Sequence, residues 1–157
     1  IDSNLSLKDY IYEIVKSFEE ISNKEFIINI DEFENLIKTY KSPEIIYGLR
    51  NFIGNANKFS NKKIEIILKS NKKDTEIIIR DDGPGFPADL IDKHRLGEPY
   101  IRTKDSTHTS KYGLGLGTFI GKTLLEKNLA TISFKNFNKN NSAEVIIKWK
   151  NKELARL

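Results

Sequence analysis

The chain has 157 residues, of which 38% are apolar and 31% charged, with a net charge of +4 and no cysteine. That length suits one domain with a real core, and the missing cysteines exclude disulfides, zinc–thiolate sites and thiol nucleophiles. The lysines are scattered among acids, which argues against a nucleic-acid partner; no apolar run approaches the ~18 residues of a membrane helix, and the N-terminus lacks a signal-peptide pattern.

From Leu5 to about Ser22 the pattern is helical, with Leu7, Ile11, Ile14, Val15, Phe18 and Ile21 on one face. A chain that opens at Ile1 straight into such a pattern reads as a fragment of a longer protein. Phe26–Ile30 is β-branched and short, hence a strand, and Ile30–Ile37 reads as a further short strand or turn. Ser42 as N-cap, Pro43 at the first helical position and Glu44 near the positive end start a helix that runs to about Phe59. Its apolar face is Ile45, Ile46, Leu49, Phe52, Ile53 and Ala56; the other face carries Gly48, Asn51, Asn55 and Lys58. Lys63–Lys69 and Glu76–Arg80 read as a hairpin about the polar turn Ser70–Asp74. Residues 81–112 hold no long periodic stretch, beyond a short helix at Asp89–Lys93, and read as a long loop. Gly117–Lys127 is the next helix, with Phe119, Ile120, Leu124 and Leu125 inward, and Thr131–Phe137 and Ala143–Lys150 form a last hairpin. The ends, residues 1–4 and 151–157, read as flexible. The order αβαββ(α)αββ predicts an α/β fold: a mixed sheet with helices layered on one face.

Three segments carry chemistry. In Asn51–Phe59 two amides stand one helical turn apart, and Lys58 follows a turn after Asn55. Amide oxygen is a hard, neutral ligand suited to magnesium, amide nitrogen donates to phosphate, and Lys58 adds charge near a polyphosphate. Taken alone, the same face is also that of a solvated helix in an Asn-rich protein. In Asp81-Asp82-Gly83-Pro84-Gly85 an acid ending a strand can accept from an adenine amino group, and the glycines admit the base closely. Alone, this is equally a strand-ending turn. Gly113-Leu114-Gly115-Leu116-Gly117-Thr118 enters a helix, where free backbone N–H groups bind anions; alone it also fits a flexible loop end. Gly121-Lys122-Thr123 resembles the end of a Walker A loop, but Leu116 stands where the earlier glycine is required and the tripeptide lies inside a helix. The Asn-rich turn Asn136–Asn141 lacks the glycine and terminal Glu of a calcium loop.

In this order and at these spacings the segments resemble the catalytic, ATP-binding domain of sensor histidine kinases, within the wider family that holds gyrase, Hsp90 and MutL ATPases. Asn51–Phe59 resembles the N box, Asp81–Gly85 the G1 box and Gly113–Gly117 the G2 box. The resemblance implies a two-layer Bergerat sandwich, with about five strands and about three helices on one face, and the cofactors ATP and Mg2+. It implies that Asn55 binds the metal and, with Lys58 on phosphate, forms the catalytic pair, that Asn51 helps hold the nucleotide, that Phe59 flanks the base and that Asp81 binds the adenine amino group. Gly83, Gly85, Gly113, Leu114, Gly115, Leu116, Gly117 and Thr118 would line the nucleotide, with Thr103 and Lys104 from a lid spanning 86–112.

Two departures sharpen the resemblance. The usual F box is replaced by Leu96-Gly97-Glu98-Pro99-Tyr100 followed by Thr103-Lys104, which, with the run from Gly115 to Glu126, is similar to redox-responsive RegB/PrrB-type kinases. Gyrase- and Hsp90-like members carry a water-activating glutamate four residues before the magnesium Asn; here that position is Asn51. The expected activity is therefore transfer of the ATP γ-phosphoryl group to a histidine, with poor hydrolysis. Neither His94 nor His108 has the helical His-Glu/Asp context of a phosphoacceptor. The acceptor is expected on a dimerisation domain of the same parent, with a response regulator as an indirect partner, the fragment monomeric and the parent a homodimer. The domain is expected in the cytoplasm and the parent in a bacterial inner membrane. The alternatives are another ATPase or serine kinase of this fold, or a non-catalytic nucleotide-binding module.

Overall fold

In a computed structural model, residues 4–31, 38–40, 42–87, 116–138 and 141–157 are described. The elements are β1 (Asn4–Ser6), α1 (Leu7–Glu19), β2 (Glu25–Asp31), β3 (Lys38–Tyr40), α2 (Pro43–Phe59), β4 (Lys63–Ser70), β5 (Asp74–Asp81), α3 (Leu116–Lys127), β6 (Thr131–Asn138), β7 (Asn141–Lys150) and α4 (Asn151–Leu154).

Period-two alternation builds the sheet. Ile64, Ile66 and Leu68 of β4, Ile77 and Ile79 of β5, and Val145, Ile147 and Trp149 of β7 are buried in one cluster with α1 and α2. The five strands lie in the order β2-β4-β5-β7-β6, with β2 and β4 parallel and every other pair antiparallel. A separate antiparallel pair joins β1 to β3. This is the α/β sandwich expected, with a mixed five-stranded sheet. On the sheet's open face, charges alternate across the strands. Arg80 bridges Glu65 at 3.1 Å and Glu144 at 2.8 Å, and Glu144 in turn meets Lys135 at 3.3 Å.

The helices begin where short-range chemistry dictates. Ser6 and Asp9 form a reciprocal capping box on α1. Ser42 Oγ accepts from Ile45 N at 3.2 Å, with Pro43 following as the first helical residue, so α2 starts and ends where the sequence indicates.

The differences are tertiary. Helix α1 stops at Glu19, so Ile21 lies beyond the apolar face and is 82% exposed, while Tyr10 is fully buried. Residues 30–31 complete β2, residues 32–37 lie outside the described residues, and the short strand beyond is β3. In α3 the buried positions are Thr118, Gly121 and Leu125; Ile120, expected inward, is exposed. The rotation follows from the partner. A Cβ on Gly48 would meet Leu125 Cγ at 2.6 Å and one on Gly121 would meet Phe52 at 3.1 Å, so the two glycines let α2 and α3 cross closely. Gly48, read as part of the polar face, is a packing residue, and Gly121 of the Walker-like tripeptide is spacing for this crossing. Residues 151–157, expected as a flexible end, are anchored: Leu154 is fully buried, and Asn151 binds Lys73 O, Thr75 Oγ1 and Asn71 O. The short helix at 89–93 lies outside the described residues.

Candidate nucleotide site

The C-terminal half of α2, the end of β5, the start of α3 and the β6–β7 pair enclose one cavity. Its open volume is about 490 Å3, solvent at its mouth included. Apolar walls come from Phe52, Ala56, Phe59, Phe86, Phe134 and Val145, and its polar groups include Asn55, Asp81 and Thr118. Phe134 meets the Phe52 ring at 6.0 Å and packs edge-on to Phe86 at 5.6 Å, so one aromatic spine runs beneath the cavity. A flat heterocycle suits such walls.

Asn55 is half-buried, and its Nδ2 donates to Thr118 Oγ1 at 3.3 Å. Thr118 is itself only 1% exposed. With the amide nitrogen committed to α3, the amide oxygen is the atom of Asn55 that could take a cation. Asn51 points its Nδ2 back to Tyr47 O at 2.8 Å and keeps its Oδ1 on the side of Gly117. Lys58 is exposed, with Nζ 5.2 Å from the centre of the Phe59 ring, and does not line the cavity.

Asp81 continues the inward phase of Ile77 and Ile79 and is 7% exposed. Burial pushes its pKa from 3.8 up to about 6; the Gly83 N–H bond opposes this, Asp82 adds to it, and the Lys24 cation opposes it. One carboxylate oxygen accepts from Gly83 N at 2.8 Å. Its neighbour Asp82 does a different job. Its carboxylate accepts from Asn61 N at 2.8 Å, Lys62 N at 3.1 Å and Lys63 N at 3.2 Å. Slight burial raises its pKa, but these backbone donors outweigh it and hold the group below the ordinary value. Asp82 therefore pins the α2–β4 turn, leaving Asp81 as the acid of the cavity.

The glycine turn is shaped by close approach. A Cβ on Gly83 would stand 2.2 Å from Phe59 O, so only glycine fits against the end of α2. Gly85 lines the cavity at φ 84°, a left-handed conformation that favours glycine. Gly117 is half-buried in the first turn of α3, beside Asn51. Leu116 begins that helix; Thr103, Lys104, Gly113, Leu114 and Gly115 lie outside the described residues, as do both histidines and the lid beyond Pro87.

Three contributors escaped the sequence reading. Lys24 sends its Nζ to Asn57 O and to Ser60 O, the latter at 2.8 Å, capping the C-terminal end of α2. Phe86 and Phe134 complete the aromatic wall. The alternation of Ile132, Phe134 and Asn136 in β6 was the available signal for Phe134, whereas nothing local marks Lys24. Among the described residues no three His, Cys, Asp or Glu side chains form a metal cage. The donor set fits an ion that arrives on a polyphosphate and takes one protein amide oxygen.

Residues 41–153 match the family described as histidine kinase-, DNA gyrase B- and HSP90-like ATPase. The chain belongs to this family. Among curated relatives, the sensor histidine kinase RegB of Cereibacter sphaeroides is 40% identical over 101 residues, covering 61% of this chain and 21% of RegB. The histidine protein kinase SaeS of Staphylococcus aureus is 32% identical over 136 residues, covering 82% of this chain and 38% of SaeS. The chain thus spans between about a fifth and two-fifths of the length of these relatives. The solved catalytic domain of the histidine kinase ThkA superposes with a TM-score of 0.73 at 22% identity, covering 94% of this chain and 95% of that one, which shows a common fold. The domain is a histidine kinase-type ATPase domain, homologous to sensor histidine kinases. Among the described residues no helix is long and apolar enough to cross a membrane.

Proposed function

We propose that this domain binds Mg2+-ATP and transfers the γ-phosphoryl group to a histidine of a dimerisation domain in the same parent protein. The observation that carries the proposal is the pairing of a buried acceptor, Asp81, with the amide of Asn55 on one aromatic-walled cavity. Asp81 would accept from the adenine amino group, with Phe59 against the base. Asn55 would give its oxygen to the metal, which neutralises phosphate charge when bound. Asn51 and the backbone of Gly83, Gly85 and the 113–118 segment, including Leu114, Leu116 and Thr118, would line the nucleotide. Lys58, whose long side chain is exposed, would swing from Phe59 to the phosphates, joined by Thr103 and Lys104.

The work of the chain is then positioning and exclusion of water. Asn51 offers no carboxylate to activate water, which supports transfer to an outside nucleophile over hydrolysis. The domain would act in the cytoplasm on a homodimeric, membrane-bound parent that passes the phosphoryl group on to a response regulator. The test is titration of the chain with a fluorescent ATP analogue, with and without magnesium, alongside Asn55→Ala. The variant should retain its fold and lose about tenfold or more of the magnesium-dependent affinity, as expected when one ligand of a phosphate-bridging ion is removed. Unchanged affinity, or rapid ATP turnover by the isolated wild-type domain, refutes the assignment.

A further inference from the structure

The turn after Asp81 is held from across the sheet. Asn136, on β6, places its side-chain amide against the backbone of Phe86: Oδ1 accepts from Phe86 N at 2.7 Å and Nδ2 donates to Phe86 O at 3.0 Å. Both bonds require one amide orientation, since the N–H needs an acceptor and the carbonyl a donor. The β6–β7 pair supplies a second hook, Ser142 N donating to Gly83 O at 3.0 Å. Ser142 reaches it from a left-handed backbone conformation, φ 61°. The segment Gly83–Phe86 is thereby fastened at both ends, and Pro84 and Gly85 between them line the cavity.

We propose that Asn136 is a positioning residue for recognition of the base. Its amide supplies at Phe86, in the turn that follows the end of β5 at Asp81, the donor and acceptor that a neighbouring strand would give. The two bonds fix the Phe86 backbone, and the ring is then set by its edge-on contact with Phe134, two residues before Asn136 and on the same face of β6. A single-bonded or apolar side chain at 136 would let Phe86 turn and the wall of the cavity widen. This separates the Asn-rich turn from loop-forming composition: Asn136 is used for a two-way hydrogen bond that Ser, Asp or Lys does not reproduce.

The inference rests on the nucleotide reading above, and the experiment distinguishes the two. Wild type, Asn136→Ala and Asn136→Asp are compared in three measurements: urea unfolding followed by Trp149 fluorescence, hydrogen exchange at the Phe86 amide, and dissociation constants for ATP and ADP. Asn136→Asp keeps the acceptor and the size but turns an oxygen toward Phe86 O, so it carries the test if the alanine variant does not fold. The expected result is a weakening of about tenfold for ATP and ADP alike, measured where the variants are fully folded, beside a modest fall in the unfolding midpoint from the two lost bonds. Exchange at the Phe86 amide should accelerate in Asn136→Ala and stay slow in Asn136→Asp. Wild-type affinity in both variants overturns the inference and leaves the nucleotide reading standing. Loss of affinity only in step with loss of folded protein also overturns it, because the residue is then structural. Failure of the wild type to bind either nucleotide overturns both.

Discussion

Asp81→Asn exchanges one buried carboxylate oxygen for an amide nitrogen and keeps the shape of the side chain. In the folded chain burial raises the Asp81 pKa from 3.8 to about 6. Between about pH 4 and pH 6 the folded chain therefore holds a proton that the unfolded chain has released. The stability linked to this group is full below the unfolded pKa and is lost as pH rises through the folded one. A rise of about two pH units, at ~1.4 kcal/mol each, sets that loss near ~3 kcal/mol above about pH 6. Asparagine does not titrate. Its Oδ1 can keep the bond from Gly83 N, leaving Nδ2 where the second carboxylate oxygen stood. Relative to wild type, Asp81→Asn should gain up to ~3 kcal/mol between about pH 4 and pH 7, less whatever the new N–H costs if it finds no partner. Urea unfolding followed by the chain's single tryptophan, Trp149, which is fully buried, measures this directly. Asp82 and the other carboxyls titrate in both proteins and cancel in the difference. In the same protein the affinity for ATP should fall by about tenfold or more, because an adenine amino group would meet a donor in place of an acceptor. A stability difference that stays flat across this pH range refutes the argument from burial. Undiminished ATP affinity refutes the assignment of Asp81 to the base.

Gly83→Ala places a Cβ 2.2 Å from Phe59 O, a backbone atom that cannot move without unwinding the end of α2. It should cost roughly 2–4 kcal/mol in urea unfolding, on the scale of a severe local overpacking, and the crowding argument fails if the cost is below ~0.5 kcal/mol. Lys24→Met removes the cation bonded to Asn57 O and Ser60 O and a charge that favours ionised Asp81. A loss of about 1–3 kcal/mol is expected. It should be larger at neutral pH, where Asp81 is ionised, than near pH 4, where it is protonated; an equal loss at both would show that Lys24 acts on the helix end alone.

What the sequence disclosed and what it hid divide along the range of the interaction. Ser42-Pro43-Glu44 specifies a helix start within one turn of chain, and Ser42 caps Ile45 as expected. The inward phase of Asp81 follows from its even spacing to Ile77 and Ile79, so its burial was implicit in the strand pattern. Composition could not distinguish Asp81 from Asp82. The difference comes from the N–H groups of residues 61–63, which reach Asp82 across the end of the hairpin. Helix α3 shows the same limit in another form. Phe119, Ile120, Leu124 and Leu125 make a reasonable apolar arc, but the neighbour decides which part of the arc is covered. Gly48 and Gly121 bring α2 close enough that Leu125 and Thr118 turn inward and Ile120 turns out. That crossing also sets Thr118 against Asn55, so the helix rotation that periodicity missed is what orients the proposed metal ligand. Lys24 and Asn136 belong to the same class. Each bonds backbone more than thirty residues away, to Asn57 and Ser60 in one case and to Phe86 in the other. The residues proposed to face the nucleotide were legible because their chemistry is carried in short segments. The residues that hold those segments in place were not, because their partners are defined only once the sheet has closed.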